Sequence, residues 1–455
     1  MPAWRPIARD AGSILIGQLA TIGFGVADTL MAGRASSEDL AALSVGAALY
    51  VSIFIGLTGV VQALIPVVGQ HHGGGEPRQV GRAFQQGVWL ALALAVPGML
   101  LMFFPGPLLA LTDATPEVAQ RTRDYLFWLG WGLPLALLLR CFSALNQGIS
   151  RPMLVTALQL GGLALKLPLN AWLVFGGGGL PALGVTGCAL ATLIVLALQG
   201  ILGGAILARH PLYAPFSLWR DWDRPRWPEQ KELLRLGLPA GASYFVEVTA
   251  FALMAVFISH FGTTALAGHQ IVANLASVAY MLPLSIAVAT GARVAQLRGA
   301  GDARAAWHAG CQGIGMAVGL SMTLGLVLFV LRSPIVMAYS LDPAVRAIAL
   351  QLIVFIAVYQ IFDAAQITTA FALRSLRIAL APAVAYVVSL WGIGLAGGWV
   401  LGFNLGGRIP QALHGAGGFW AANVAALALV AALLVLMYRR VGRPFRRTPP
   451  VQPAP

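Results

Sequence analysis

Residues 66–87, PVVGQHHGGGEPRQVGRAFQQG, return 226 positions later as residues 292–313, ARVAQLRGAGDARAAWHAGCQG. Eight of the 22 aligned positions are identical without a gap, among them Gln70 with Gln296, Gly73 with Gly299, Arg78 with Arg304, and Gln86-Gly87 with Gln312-Gly313. The same offset carries Leu40-Ala41 onto Leu266-Ala267. Apolar bias raises chance identity but does not align glutamine, arginine and glycine. The chain therefore reads as two copies of one unit.

The material between the repeated loops is too apolar for water. Hydrophobic residues make up 58% of the 455 positions and charged residues only 10%, with a mean hydropathy of +0.79. About a quarter of an ordinary soluble domain is charged. A soluble enzyme, a disordered tail and a disulfide-knit secreted domain are all excluded. Span-length apolar segments fall at 11–33, 40–70, 80–104, 122–147, 153–176, 182–208, 232–261, 265–296, 305–331, 346–373, 379–402 and 415–438. About 20 such residues cross a bilayer, and lipid offers no partner for open backbone, so each must be a helix. The expected fold is an all-α integral membrane protein of twelve transmembrane helices. Six helices per copy leave the halves in the same orientation, as parallel repeats. The expected divisions are a six-helix lobe at 1–208, a cytoplasmic linker at 209–230, a second six-helix lobe at 231–440 and a disordered tail at 441–455.

The net charge is +13, but the basic residues sit between apolar runs rather than with aromatics on one face. Nucleic acid is not an expected partner; the bilayer is. The termini and the loops on their side hold 21 Lys and Arg, and the opposite loops hold six: Arg34, Arg121, Arg123, Arg332, Arg346 and Arg408. By the positive-inside rule both termini face the cytoplasm. Cys141, Cys188 and Cys311 lie in or beside apolar segments without ligand spacing and read as inert thiols. His71 and His72 adjoin three glycines in a loop whose repeat has no histidine, so they read as a solvated turn. Gly176–Gly179 lacks the Lys-Ser/Thr of a phosphate loop.

Charges inside spans are the candidates for function. Asp28, Glu247 and Asp363 each lie mid-span, at a cost of about 2.5–3.5 kcal/mol for a charge at a helix centre. Such groups face an aqueous cavity or a partner. Glu247 and Asp363 share the second half, with Tyr359 four residues before Asp363 on the same helix face. Two carboxylates and a hydroxyl suit Na+ or a shared proton. In the first half Lys166 and Asn170 flank Pro168, and Asp28 is the one mid-span acid, so an Asp28–Lys166 ion pair is expected. Arg140 also lies within a span, where a lipid headgroup and an acid are its alternative expected partners.

VADTLMAG at 26–33, LPLN at 167–170 followed by Phe175-Gly176, AGHQI at 267–271 and YQIFD at 359–363 together resemble the multidrug and toxic compound extrusion (MATE) family in its bacterial NorM-type branch. The likeness covers about residues 10–440. It implies a V-shaped twelve-helix antiporter of the bacterial inner membrane, exporting cationic amphipathic drugs in exchange for Na+ or H+, with no cofactor. By motif position it assigns Glu247, Asp363 and Tyr359 to a cation site in the second lobe, and Asp28 and Asn170 to an acidic site in the first. Lys166 departs from the pattern, because a small polar residue is usual there. The alternative is a flippase for a lipid or lipid-linked precursor. A flippase for anionic headgroups needs several cavity cations, and only Arg140 and Lys166 qualify. An enzyme is not expected: a GxGD aspartyl-protease motif is read as absent, no Ser/His pair sits at convincing depth and no nucleotide-binding motif is present to drive primary transport. The chain is expected to act as a monomer. Fusing reporters to the C-terminus tests the orientation: green fluorescent protein should fluoresce and alkaline phosphatase should be inactive, and the reverse result would invert the topology.

Overall fold

In the computed structural model, which describes residues 4–110, 115–220, 222–405, 407 and 409–446, twelve helices are long and apolar enough to cross a membrane. They are α1 (Trp4–Ala35), α2 (Ser37–Gly73), α3 (Pro77–Phe103), α4 (Pro116–Gly148), α5 (Met153–Phe175) and α6 (Val185–Arg209), then α7 (Trp227–Ser259), α8 (Thr263–Gly299), α9 (Ala303–Val330), α10 (Pro343–Ser375), α11 (Leu380–Gly402) and α12 (Ala416–Arg446). Every expected span has its helix. Large apolar side chains such as Ile201, Leu326, Val330 and Leu380 are more than half exposed, a surface suited to lipid.

Local chemistry sets the boundaries. Ser36 caps α2, accepting from the Asp39 amide at 3.0 Å. Asp302 caps α9 through the Ala305 amide at 2.7 Å, and Asp342 caps α10 through Ala344 at 2.8 Å, with Pro343 in the first turn. The expectation that no GxGD motif is present is corrected here: Gly299-Ala300-Gly301-Asp302 spells one, but its aspartate serves as the cap of α9 in the turn after α8. α5 stops at Gly176, whose φ of 77° opens a run of four left-handed glycines.

The chain divides into two compact units, one of Ile16–Gly241 and one of Met1–Leu15 with Ala242–Pro455. The two boundaries lie 226 residues apart, the repeat offset itself. In the first unit the start of α7 packs on α2 through glycine. A Cβ at Gly241 would lie 2.6 Å from the Gly56 carbonyl oxygen, and one at Gly237 would strike the Val60 carbonyl, the close approach typical of membrane helices. Asp39 ties α2, α4 and α6 together: its carboxylate takes Arg121 at 2.9 Å, the Ser36 hydroxyl at 2.9 Å and the Val185 amide at 3.1 Å. In the second unit Phe419, Trp420, Leu427, Val430 and Leu434 of α12 fill a core with Ile258, Leu352 and Ile353.

The connection after α6 is not a free linker. A 3-10 turn at Pro211–Phe216 is followed by chain held by α3: Gln85 donates to the Leu218 carbonyl at 3.0 Å, Gln86 to that of Arg224 at 3.0 Å and Trp89 to that of Asp223 at 3.0 Å. Its helical end begins at Trp227, inside the stretch read as linker, because Pro228 and Glu229 favour a first helical turn. The tail expected from 441 is helical through Arg446, continuing α12; its remainder, 447–455, lies outside the described residues. The repeat extends to this packing. Gly81 of α3 meets the Phe216 carbonyl, and at the matching positions Trp307 of α9 meets Gly442. Gly81→Ala should therefore destabilise the protein by about 1–3 kcal/mol through overpacking, whereas Gly161→Ala, with open space around it, should be neutral or mildly stabilising. Thermal unfolding of both variants in detergent checks the contrast.

Candidate functional site

In the first unit three helices meet around Asp28. α1 supplies Asp28, α5 supplies Lys166 and Asn170, and α6 supplies Thr192 and Cys188. Lys166 and Asn170 are four apart and share a helix face. Lys166 Nζ lies 2.8 Å from Asp28 Oδ2 and donates to Thr192 Oγ1 at 2.8 Å. Asn170 Nδ2 donates to Asp28 Oδ1 at 2.7 Å. The ammonium also stands 4.9 Å from the centre of the Phe24 ring. Thr192 passes its own hydrogen to the Cys188 carbonyl at 2.8 Å. Lys166 is only 1% exposed. The two opposite charges of this half are thus in direct contact.

The second unit gathers carboxylates with no ammonium between them. Asp363 of α10 is fully buried; Gln366 Nε2 donates to its Oδ1 at 3.3 Å, while Oδ2 has no hydrogen-bond partner. Glu247 of α7 lies within electrostatic reach of Asp363 and of the Tyr386 hydroxyl of α11. The hydroxyls of Tyr280, Tyr359 and Tyr386 all lie within electrostatic reach of both carboxylates. Behind Tyr359, Phe251 and Trp420 pack edge-on with centroids 6.3 and 6.0 Å away, and Trp420 Nε1 donates to His269 Nδ1 at 3.2 Å. Both amide atoms of Gln360, the Tyr280 hydroxyl and Asn423 Oδ1 are buried without hydrogen-bond partners. Two carboxylates that repel each other, one of them fully buried, do not both stay ionised without a compensating cation or proton, and the surrounding hydroxyl and amide oxygens are hard donors suited to either.

Glu247, Asp363 and Tyr359 are therefore brought together in one unit, and Asp28, Lys166 and Asn170 in the other. The sequence reading missed Thr192, Tyr280, Tyr386, Gln360 and Gln366. A signal existed for the two glutamines, since 360, 363 and 366 recur every third residue on α10. The tyrosines gave none, because their approach depends on how α8 and α11 cross α10. Tyr386 stands just before a π-helical stretch, Val388–Ala396, that widens α11, a distortion frequent at functional sites. Arg140 stacks over the Phe54 ring at 5.4 Å, and Lys166 is engaged by Asp28. These are the only two cations that qualified for a flippase of anionic headgroups, and each is engaged within the protein. His71 contacts Glu76 at 2.7 Å in the α2–α3 turn.

The MatE family profile matches residues 13–172 and 239–400, one stretch in each half. A probable multidrug resistance protein NorM of Aromatoleum aromaticum is 42% identical over 433 residues, covering 95% of this chain and 93% of that protein. The multidrug resistance protein PmpM of Pseudomonas aeruginosa is 35% identical, covering 96% and 91%. The fold superimposes on the crystal structure of the eukaryotic MATE transporter AtDTX14 with a TM-score of 0.86 at 19% identity, over 98% of each chain. With a family profile spanning both repeats and relatives this similar along nearly its whole length, the chain belongs to the MatE family, the multidrug and toxic compound extrusion transporters.

Proposed function

We propose that this protein is a secondary-active antiporter of the bacterial inner membrane that expels cationic amphipathic drugs and dyes in exchange for Na+ or H+. The observation that carries the reading is the Glu247–Asp363 pair: Asp363 is fully buried, three tyrosine hydroxyls lie within electrostatic reach of both carboxylates, and the Gln360 amide on the same helix has no partner. Its activity is transport rather than catalysis. Names of the relatives, multidrug resistance proteins NorM and PmpM, support the drug substrates. The carboxylates support the preference for cations and the choice of Na+ or H+ as coupling ion.

In the cycle we propose, both termini face the cytoplasm and the protein works as a monomer. A coupling ion from the periplasmic side neutralises Glu247 and Asp363, Tyr359 orients the pair, and the cationic drug loses the charge that held it. The driving energy is sufficient, since one elementary charge moving through 100 mV corresponds to about 2.3 kcal/mol. Asp28 with Asn170 supplies a second acidic centre in the first unit. The test is ethidium efflux from proteoliposomes under an imposed sodium gradient and, separately, a proton gradient. One gradient should drive efflux in the wild type, and Asp363→Asn should reduce it at least about tenfold, as expected for loss of about 1.4 kcal/mol or more of coupling. Efflux under neither gradient, or an unaffected Asp363→Asn, would overturn the proposal.

A further inference from the structure

The Asp28 centre differs from the Glu247–Asp363 centre in one respect: its cation is covalently attached. An ammonium has three N–H donors. At Lys166 one points to Asp28 Oδ2 at 2.8 Å and one to Thr192 Oγ1 at 2.8 Å, while the face of Phe24 covers the nitrogen at 4.9 Å. The other carboxylate oxygen is taken by Asn170 at 2.7 Å, and Asn170 Oδ1, buried beside it, has no hydrogen-bond partner. A carboxylate oxygen and a hydroxyl oxygen thus meet a single positive charge, with an unpartnered amide oxygen in the same centre, a donor set of the kind a free monovalent cation of the hard class takes. The other ionisable side chains at this centre are Cys188, whose Sγ lies 3.9 Å from the Asp28 carbonyl, and Tyr125, which senses Asp28 and Cys188. Neither brings a cation.

We infer that Lys166 is a tethered cation, seated where Asp28, Asn170 and Thr192 would otherwise hold a free monovalent cation such as Na+, and that it closes the first unit to the coupling ion. The geometry of the Asp28 centre carries this alone. Its corollary, that coupling runs through Glu247 and Asp363 only, rests on the function proposed above. Lys166 is a specificity-determining residue in this reading: it sets how many ions the protein binds.

The test counts bound ions rather than transport. Radiolabelled sodium binding to the purified full-length protein, at mildly alkaline pH to suppress protonation, is compared in wild type, Lys166→Asn and Lys166→Asn/Asp28→Asn. Lys166→Asn should bind one more sodium ion per chain than wild type, and the double variant should lose it. Sodium should also raise the melting temperature of Lys166→Asn by more than that of the double variant. A folded Lys166→Asn with the wild-type sodium count would overturn the inference. Asp28→Asn alone provides an arm that does not depend on the folding of Lys166→Asn. It should leave the wild-type sodium count unchanged, and a drop by one ion would overturn the inference. Failure of the antiporter reading shows instead in ethidium efflux by Asp363→Asn, which these counts do not involve.

Discussion

Lipid cannot solvate a charge, so every ionised group at membrane depth has to be answered from within the protein. That requirement orders this structure. The two units answer it in opposite ways. In the first, Asp28 is met by an ammonium, an amide and, through the ammonium, a hydroxyl. In the second, Glu247 and Asp363 are met by hydroxyls and amides alone, and several of those atoms lack protein partners. Breaking a buried ion pair by removing one partner costs about 3–5 kcal/mol, which fixes α1, α5 and α6 around Asp28. A pair of like charges has no such internal bond and depends on what it binds.

The duplication preserved scaffold and not chemistry. The repeated loops, the boundaries between units and the packing of Phe216 on Gly81 and of Gly442 on Trp307 all follow the 226-residue offset. The charges do not. At that offset Asp28 faces Met254, which is buried, Asp363 faces Leu137, also buried, and Glu247 faces Thr21. Each unit has its own polar centre, at positions that do not correspond between the copies. A helix skeleton held by glycine contacts and caps tolerates such divergence, since a charge placed on one inward face disturbs only the helices that meet there.

Much of the fold was legible because membrane helices announce themselves by length and hydropathy, and because tandem glutamines, arginines and glycines expose a repeat. The Asp28–Lys166 contact was legible for a narrower reason: one acid and one lysine were stranded at similar depth in one half, and each needed the other. Tyr280 and Tyr386 were not legible, since a tyrosine mid-span suits a lipid boundary as well as a carboxylate, and only the crossing of α8, α10 and α11 decides. Nor was the Asp39–Arg121 tie, because both residues read as loop edges. The grip of Gln85, Gln86 and Trp89 on the chain after α6 was hidden too, because it uses backbone carbonyls that carry no sequence signature.

The contrast between the centres bears on which of them can couple to an ion. A ligand shifts an equilibrium only by the difference in free energy it makes between states. Both carboxylate oxygens of Asp28 already have donors, so a free ion there must first displace an ammonium held on a side-chain tether at very high effective concentration. Around Asp363 a carboxylate oxygen, the Gln360 amide and the Tyr280 hydroxyl are buried without protein partners, and each such group costs about 1–3 kcal/mol until something satisfies it. Binding there relieves several of these costs at once. In the function proposed above, the large free-energy difference between bound and unbound states is therefore expected at the Glu247–Asp363 centre, and a small one at Asp28.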